Sequence, residues 1–107
     1  MGKNITGILW TSTAKRDLQE TFAYLVEFSE DAAFRVINKI LDKAGILIGD
    51  SSGIGQREPL LRHKSVVYRY LVEGNYKIIY SVNGNKVVIH SVFDARQNPK
   101  KMEENVT

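Results

Sequence analysis

Residues 69–99, RYLVEGNYKIIYSVNGNKVVIHSVFDARQNP, constrain the fold more than any other part of the chain. Three runs, 68–72, 76–82 and 86–93, are rich in β-branched and aromatic residues, and each is short enough to be one strand. Turn residues separate them. Asn83-Gly84 supplies a pair that readily takes positive φ in a tight primed turn, and Gly74-Asn75 repeats the signal more weakly. A buried helix through 87–92 fits poorly, because β-branched residues stack there without a helical period. The reading is an antiparallel meander that ends in an Asp94-Ala95-Arg96 corner.

The first half reads as a strand and a helical hairpin. Residues 5–10 are apolar enough for an opening strand, and Thr11, Ser12 and Thr13 offer hydroxyls to cap the helix after it. Ala14, Leu18, Phe22 and Leu25 recur at helical spacing, which leaves Lys15, Arg16, Gln19 and Glu20 outside. Ser29 with Glu30 and Asp31 marks a second start, a hydroxyl cap with two carboxylates at the positive end of a helix dipole. Ala33, Val36, Ile37, Ile40, Leu41, Ala44 and Leu47 or Ile48 then form the buried stripe of a helix ending near Gly49. The segment 50–55 is rich in glycine and serine, but a helix precedes it and Arg57-Glu58-Pro59 follows. A phosphate loop needs a strand before its glycines and a helix after them, so the segment reads as a flexible connector.

The order of elements, β-α-α-β-β-β, defines an α+β domain with the hairpin packed on one face of an antiparallel sheet. If Tyr76, Ile78 and Tyr80 point toward the helices, then Lys77, Ile79 and Ser81 lie on the opposite face, since strand side chains alternate. That face is expected to be where a partner docks. Trp10 and the tyrosines Tyr68, Tyr70, Tyr76 and Tyr80 read as packing residues.

A chain of 107 residues, 43% hydrophobic and 25% charged, suits one globular domain, expected over residues 1–107 with loose ends at 1–4 and 103–107. With no cysteine, a disulfide framework and a thiolate metal site are excluded. No apolar run approaches the roughly 20 residues of a membrane span, and the N-terminus lacks a secretory pattern, so a soluble cytoplasmic protein is expected. Charge is uneven. Residues 57–101 hold nine Lys/Arg against three acids, whereas residues 1–56 hold six against seven. A surplus of six on the sheet and its exit suits a surface that meets phosphates or an acidic protein.

The stretches YRYLVEGNYKIIY and VVIHSVFDARQNPKK, with the opening strand that leads into a Thr-Ala-Lys-Arg-Asp-Leu helix start, resemble the RelE/ParE superfamily of type II toxin-antitoxin toxins over roughly residues 5–102. The likeness is closer to the ParE-like branch. It implies a hairpin-on-sheet fold, a cognate antitoxin as partner, and one of two activities. RelE-like members cleave messenger RNA on the ribosome, with basic side chains stabilising phosphate charge. ParE-like members act on DNA gyrase instead.

On that resemblance Lys77 matches a sheet position where ribonuclease members carry arginine, and Arg96 matches an arginine just after the last strand. The ribonuclease pattern also has a tyrosine a few residues later, where this chain has Gln97, Asn98, Pro99, Lys100, Lys101 and Met102. Its second pair of basic residues is not matched around Arg69. These departures favour the gyrase-directed branch; the alternatives are a ribosome-dependent endoribonuclease and an inactive homologue that binds the antitoxin. Arg69, Lys77, Arg96, Lys100 and Lys101 are the expected contacts to antitoxin or target. Were the chain a nuclease, Lys77, Arg96 and His90 would be its site, with His90 favoured over His63 as an acid or base near neutral pH. Two histidines without a carboxylate or cysteine cluster make no metal site. No cofactor and no small-molecule ligand is implied.

Overall fold

The structure, a computed structural model, describes residues 4–49 and 54–106. Strand β1 (Gly7–Trp10) leads into helices α1 (Ser12–Val26) and α2 (Glu30–Gly45). A two-residue strand, β2 (Gln56–Arg57), and a 3-10 turn at Pro59–Leu61 precede β3 (Arg69–Glu73), β4 (Tyr76–Asn83) and β5 (Lys86–Asp94), and a short helix, α3 (Pro99–Asn105), closes the chain. Both helix starts obey their caps: the Thr11 hydroxyl accepts from Ala14 N–H and the Ser29 hydroxyl from Ala32 N–H. Helix α2 stops at Gly45, one turn short of Gly49, and of the alternatives for its last anchor Leu47 is buried while Ile48 is exposed.

The sheet order is β1-β5-β4-β3-β2. The meander is antiparallel as expected, but β1 pairs with β5 in parallel, so the sheet is mixed rather than antiparallel throughout. A short apolar run reads the same in either direction, and its partner β5 comes four strands later in the chain, so no local signal records the direction of pairing. The two tight turns are Gly74-Asn75 and Gly84-Asn85, since Glu73 pairs Tyr76 and Asn83 pairs Lys86. Only the glycines have positive φ (58° and 62°). The second turn is therefore one residue later than the Asn83-Gly84 reading, and glycine at its first corner with asparagine at its second is the II′ pattern.

Strict alternation along β5 is broken once. Ile79 pairs Ser91 and Tyr80 pairs Ile89, so His90 is the extra residue of a β-bulge. The bulge shifts the phase: Val87 and Ile89 before it and Val92 after it all join the helix-side core. That core gathers Ala14, Ile40, Ala44 and Leu47 from the first half against Leu71, Ile78, Tyr80 and Val87 from the sheet, with Trp10 at its margin. Each large aliphatic buried there contributes roughly 1.5–3 kcal/mol.

The expected orientation of β4 holds, with Tyr76, Ile78 and Tyr80 on the helix side. The opposite face, however, is not left open. A second cluster of Leu61, Tyr68, Ile79, Phe93, Met102 and Val106 covers it, built from the 3-10 turn and α3. Residues 103–106, expected as a loose end, supply the last turns of this layer, where Val106 is buried and its carbonyl accepts from the Tyr68 hydroxyl at 3.4 Å. The tyrosines divide between the faces, Tyr68 and Tyr70 packing behind the sheet and Tyr76 and Tyr80 beneath the helices. The expected loose start falls on residues 1–3, and most of the 50–55 connector on 50–53, both outside the described residues.

Candidate functional site

Two groups of expected site residues emerge, and the structure keeps them apart. The first surrounds Lys77 on the back of β4. Its ammonium lies 3.0 Å from a Glu58 carboxylate oxygen and 4.4 Å from the centre of the Tyr70 ring. Glu58 is completely buried, and its other oxygen accepts from Leu60 N–H, which caps the 3-10 turn. A buried carboxylate left alone would cost several kcal/mol, so Lys77 is required where it stands. With a side chain only 23% exposed, the charge of Lys77 is spent inside the molecule. Glu58 was not foreseen in the sequence, where it reads as one of several acids in a loop.

Arg69 lies on the helix side of β3 and donates to the Gly55 carbonyl at 2.9 Å. Gly55 also donates to the Tyr80 hydroxyl at 3.1 Å. A Cβ at position 55 would run into that hydroxyl and the Tyr70 carbonyl, so this end of the connector is a close backbone approach that only glycine permits.

The second group lies where β5 leaves the sheet. Asp94 accepts from Arg96 at 3.0 Å through Nε and 2.8 Å through the terminal nitrogen, a bidentate pair that holds the Asp94 carboxyl below the usual carboxylate range. The Arg96 side chain remains 63% exposed. A cleft of about 650 Å³ opens beside it, between α1, the end of β5 and α3. Tyr24 and Tyr76 line it with Arg16, Glu20 and Lys101. Burial, with Asp94 nearby, pushes the Tyr76 phenol above its ordinary value and keeps it a hydrogen-bond donor at neutral pH. At the cleft's floor one Asp17 oxygen accepts from the Ser91 hydroxyl and from Val92 N–H, both at 2.9 Å, which fastens α1 to β5. Burial raises the Asp17 carboxyl despite these bonds. The cleft thus collects cations and carboxylates in near balance, together with two phenols.

Of the expected residues, Arg96 and Lys101 share this cleft; Lys100 is exposed beside it on α3. Lys77 lies on the back of the sheet and Arg69 on its helix side, both apart from the cleft. His90 joins neither. Its Nε2 is 2.7 Å from the Ser81 hydroxyl, its ring meets the edge of Tyr68 at 5.0 Å, and burial lowers its pKa, so it is neutral at pH 7. His63 pairs with Glu103 at 2.9 Å, bracing α3 against the 3-10 turn. Among the described residues no group of three or more His, Cys, Asp or Glu could hold a metal ion.

An α+β domain with a helical hairpin packed on a sheet is the fold that the resemblance implies. The ParE toxin family, of the type II toxin-antitoxin system parDE, matches residues 8–99. The chain belongs to that family. Among solved structures, the chromosomal ParDE toxin-antitoxin system from P. aeruginosa is similar in fold, with a TM-score of 0.69 at 18% identity over 88% of this chain and 100% of that one. A comparison with curated protein sequences returns no match.

Proposed function

We propose that the chain is a growth-inhibiting toxin that acts by inhibiting DNA gyrase and is held inactive in the cytoplasm by a cognate antitoxin. Membership of the ParE family supports the toxin role. The observation that carries the choice of target is the Lys77–Glu58 pair. The sheet cation that a ribonuclease of this superfamily would turn toward phosphate is engaged by a fully buried carboxylate. Of the other ribonuclease candidates, Arg96 is paired with Asp94, His90 is neutral and bonded to Ser81, and no tyrosine follows Tyr80. A toxin that blocks another enzyme needs a complementary surface and no reacting groups of its own. Arg96, Lys100 and Lys101 at the sheet exit are the contacts offered to antitoxin or target, and an acidic antitoxin would suit the surplus of positive charge in residues 57–101.

The test is a supercoiling assay in which purified toxin is titrated against gyrase, with transcript ends mapped in a translating extract from the same preparation. Loss of supercoiling with intact messages is the expected result. Codon-phased cuts in messages with supercoiling unaffected would establish ribosome-dependent cleavage instead.

A further inference from the structure

The edge of the sheet farthest from β1 has a charge arrangement that the fold itself does not need. Between Ile54 and Val72 the chain carries Arg57, Arg62, Lys64 and Arg69 against one acid, Glu58. That acid is buried and its charge is taken by Lys77. Arg57 and Arg69 are direct cross-strand partners in the β2–β3 ladder. Directly opposed residues of an antiparallel pair share a face, with Cβ atoms about 5 Å apart, and like charges so placed repel. Among the described residues no carboxylate pairs with either arginine.

Arg69 is also held in place. One terminal nitrogen donates to the Gly55 carbonyl at 2.9 Å, in the close approach that only glycine at 55 allows. Arg57, directly across the ladder on the same face, is exposed. Two adjacent guanidinium groups, one of them fixed, make a fork for an oxyanion, since planar guanidinium donors match phosphate oxygens two at a time.

We propose that this edge binds the phosphodiester backbone of duplex DNA without regard to sequence, with Arg57 and Arg69 on one phosphate and Arg62 and Lys64 extending the positive surface. The surroundings select duplex over single strand. Single-strand sites stack bases on exposed aromatic rings, but the exposed rings Tyr24, Phe28 and Phe34 belong to the helical hairpin. At the edge, Tyr70 has Lys77 over its ring and its hydroxyl bonded to Gln56. Contacts to duplex phosphates need no concavity, and the large cleft lies at the other group of cations. The inference rests on the gyrase reading for its setting, because a gyrase inhibitor works beside DNA; the contact itself is measurable on naked DNA.

The experiment is fluorescence anisotropy of the full-length chain with a labelled 20-base-pair duplex of arbitrary sequence, at several salt concentrations. Three or four phosphate contacts predict a log–log salt slope of about −2.7 to −3.6, which is roughly a 40- to 150-fold loss of affinity between 50 and 200 mM salt. Arg57→Gln, at an exposed position, is expected to weaken binding several-fold and flatten the slope by about one, with an unchanged circular dichroism spectrum. Lys15→Gln, on the exposed side of α1, is expected to change neither. No binding at 50 mM salt would overturn the proposal, as would an Arg57→Gln variant that binds like the parent. Polyglutamate displacing the duplex at equal charge concentration would also overturn it and assign the edge to an acidic protein. Because no gyrase is present, DNA binding and gyrase inhibition can succeed or fail separately.

Discussion

The two faces of the sheet are closed by different means. The helix side is covered by two amphipathic helices of about four turns each, and its core joins the first half of the chain to every long strand of the meander. The back is covered by a 3-10 turn and the seven-residue α3, which meet over Ile79 and Phe93 and are braced by one buried ion pair and one exposed His63–Glu103 contact. A large apolar core draws its stability from area, whereas a small one relies on individual polar contacts to fix its parts. The functional consequence is that Lys77, one of the two cations expected at a nuclease site, is paired with Glu58 within the back layer.

This contrast can be tested by matched truncations. Ile40→Ala removes a fully buried side chain from the helix side and Met102→Ala removes one from the back. Ile40→Ala is expected to cost about 4 kcal/mol and Met102→Ala about 2 kcal/mol, because the short α3 can settle into the gap while two packed helices cannot. Urea unfolding would measure both. Equal losses would show that the two layers form a single cooperative core.

A smaller effect separates the layers by pH. Burial of His90 behind the sheet lowers its pKa in the folded chain below the imidazole value of about 6.5. In acid the unfolded chain takes up a proton that the fold resists, so stability falls as pH drops below about 6.5, until the folded pKa is reached. His90→Gln is expected to remove that part of the slope in thermal melts between pH 7 and 5. An undiminished slope in the variant would place the titrating group elsewhere.

How far the sequence discloses this molecule differs between the same two faces. Periodicity and capping residues were sufficient for both long helices, and β-branched runs with glycine turns for the meander, because those signals are local. The direction of β1 and the bulge at His90 depend on pairing between distant segments, which no local pattern records. The back layer was legible only in fragments. Asn98 followed by Pro99 is a helix start, a cap and a first-turn proline, and Asn98 does cap α3 by accepting from Lys100 N–H. Seven residues were too few for a periodic stripe to confirm it. For the site, Arg96 and its Asp94 partner could be anticipated from their spacing, but the partner of Lys77 could not. Glu58 lies in another strand connection, 19 residues before Lys77, and nothing in its sequence neighbourhood marks it as buried.

The most direct measurement compares growth arrest by the parent chain with arrest by the Glu58→Gln, Lys77→Gln double variant. The paired amides keep a hydrogen bond without either charge, whereas Glu58→Ala alone would strand Lys77 and cost roughly 2 kcal/mol. If Lys77 is structural, the double variant folds within about 1 kcal/mol of the parent and arrests growth equally well. A folded double variant that no longer arrests growth would contradict the account, because Lys77 would then be acting on the target rather than on Glu58.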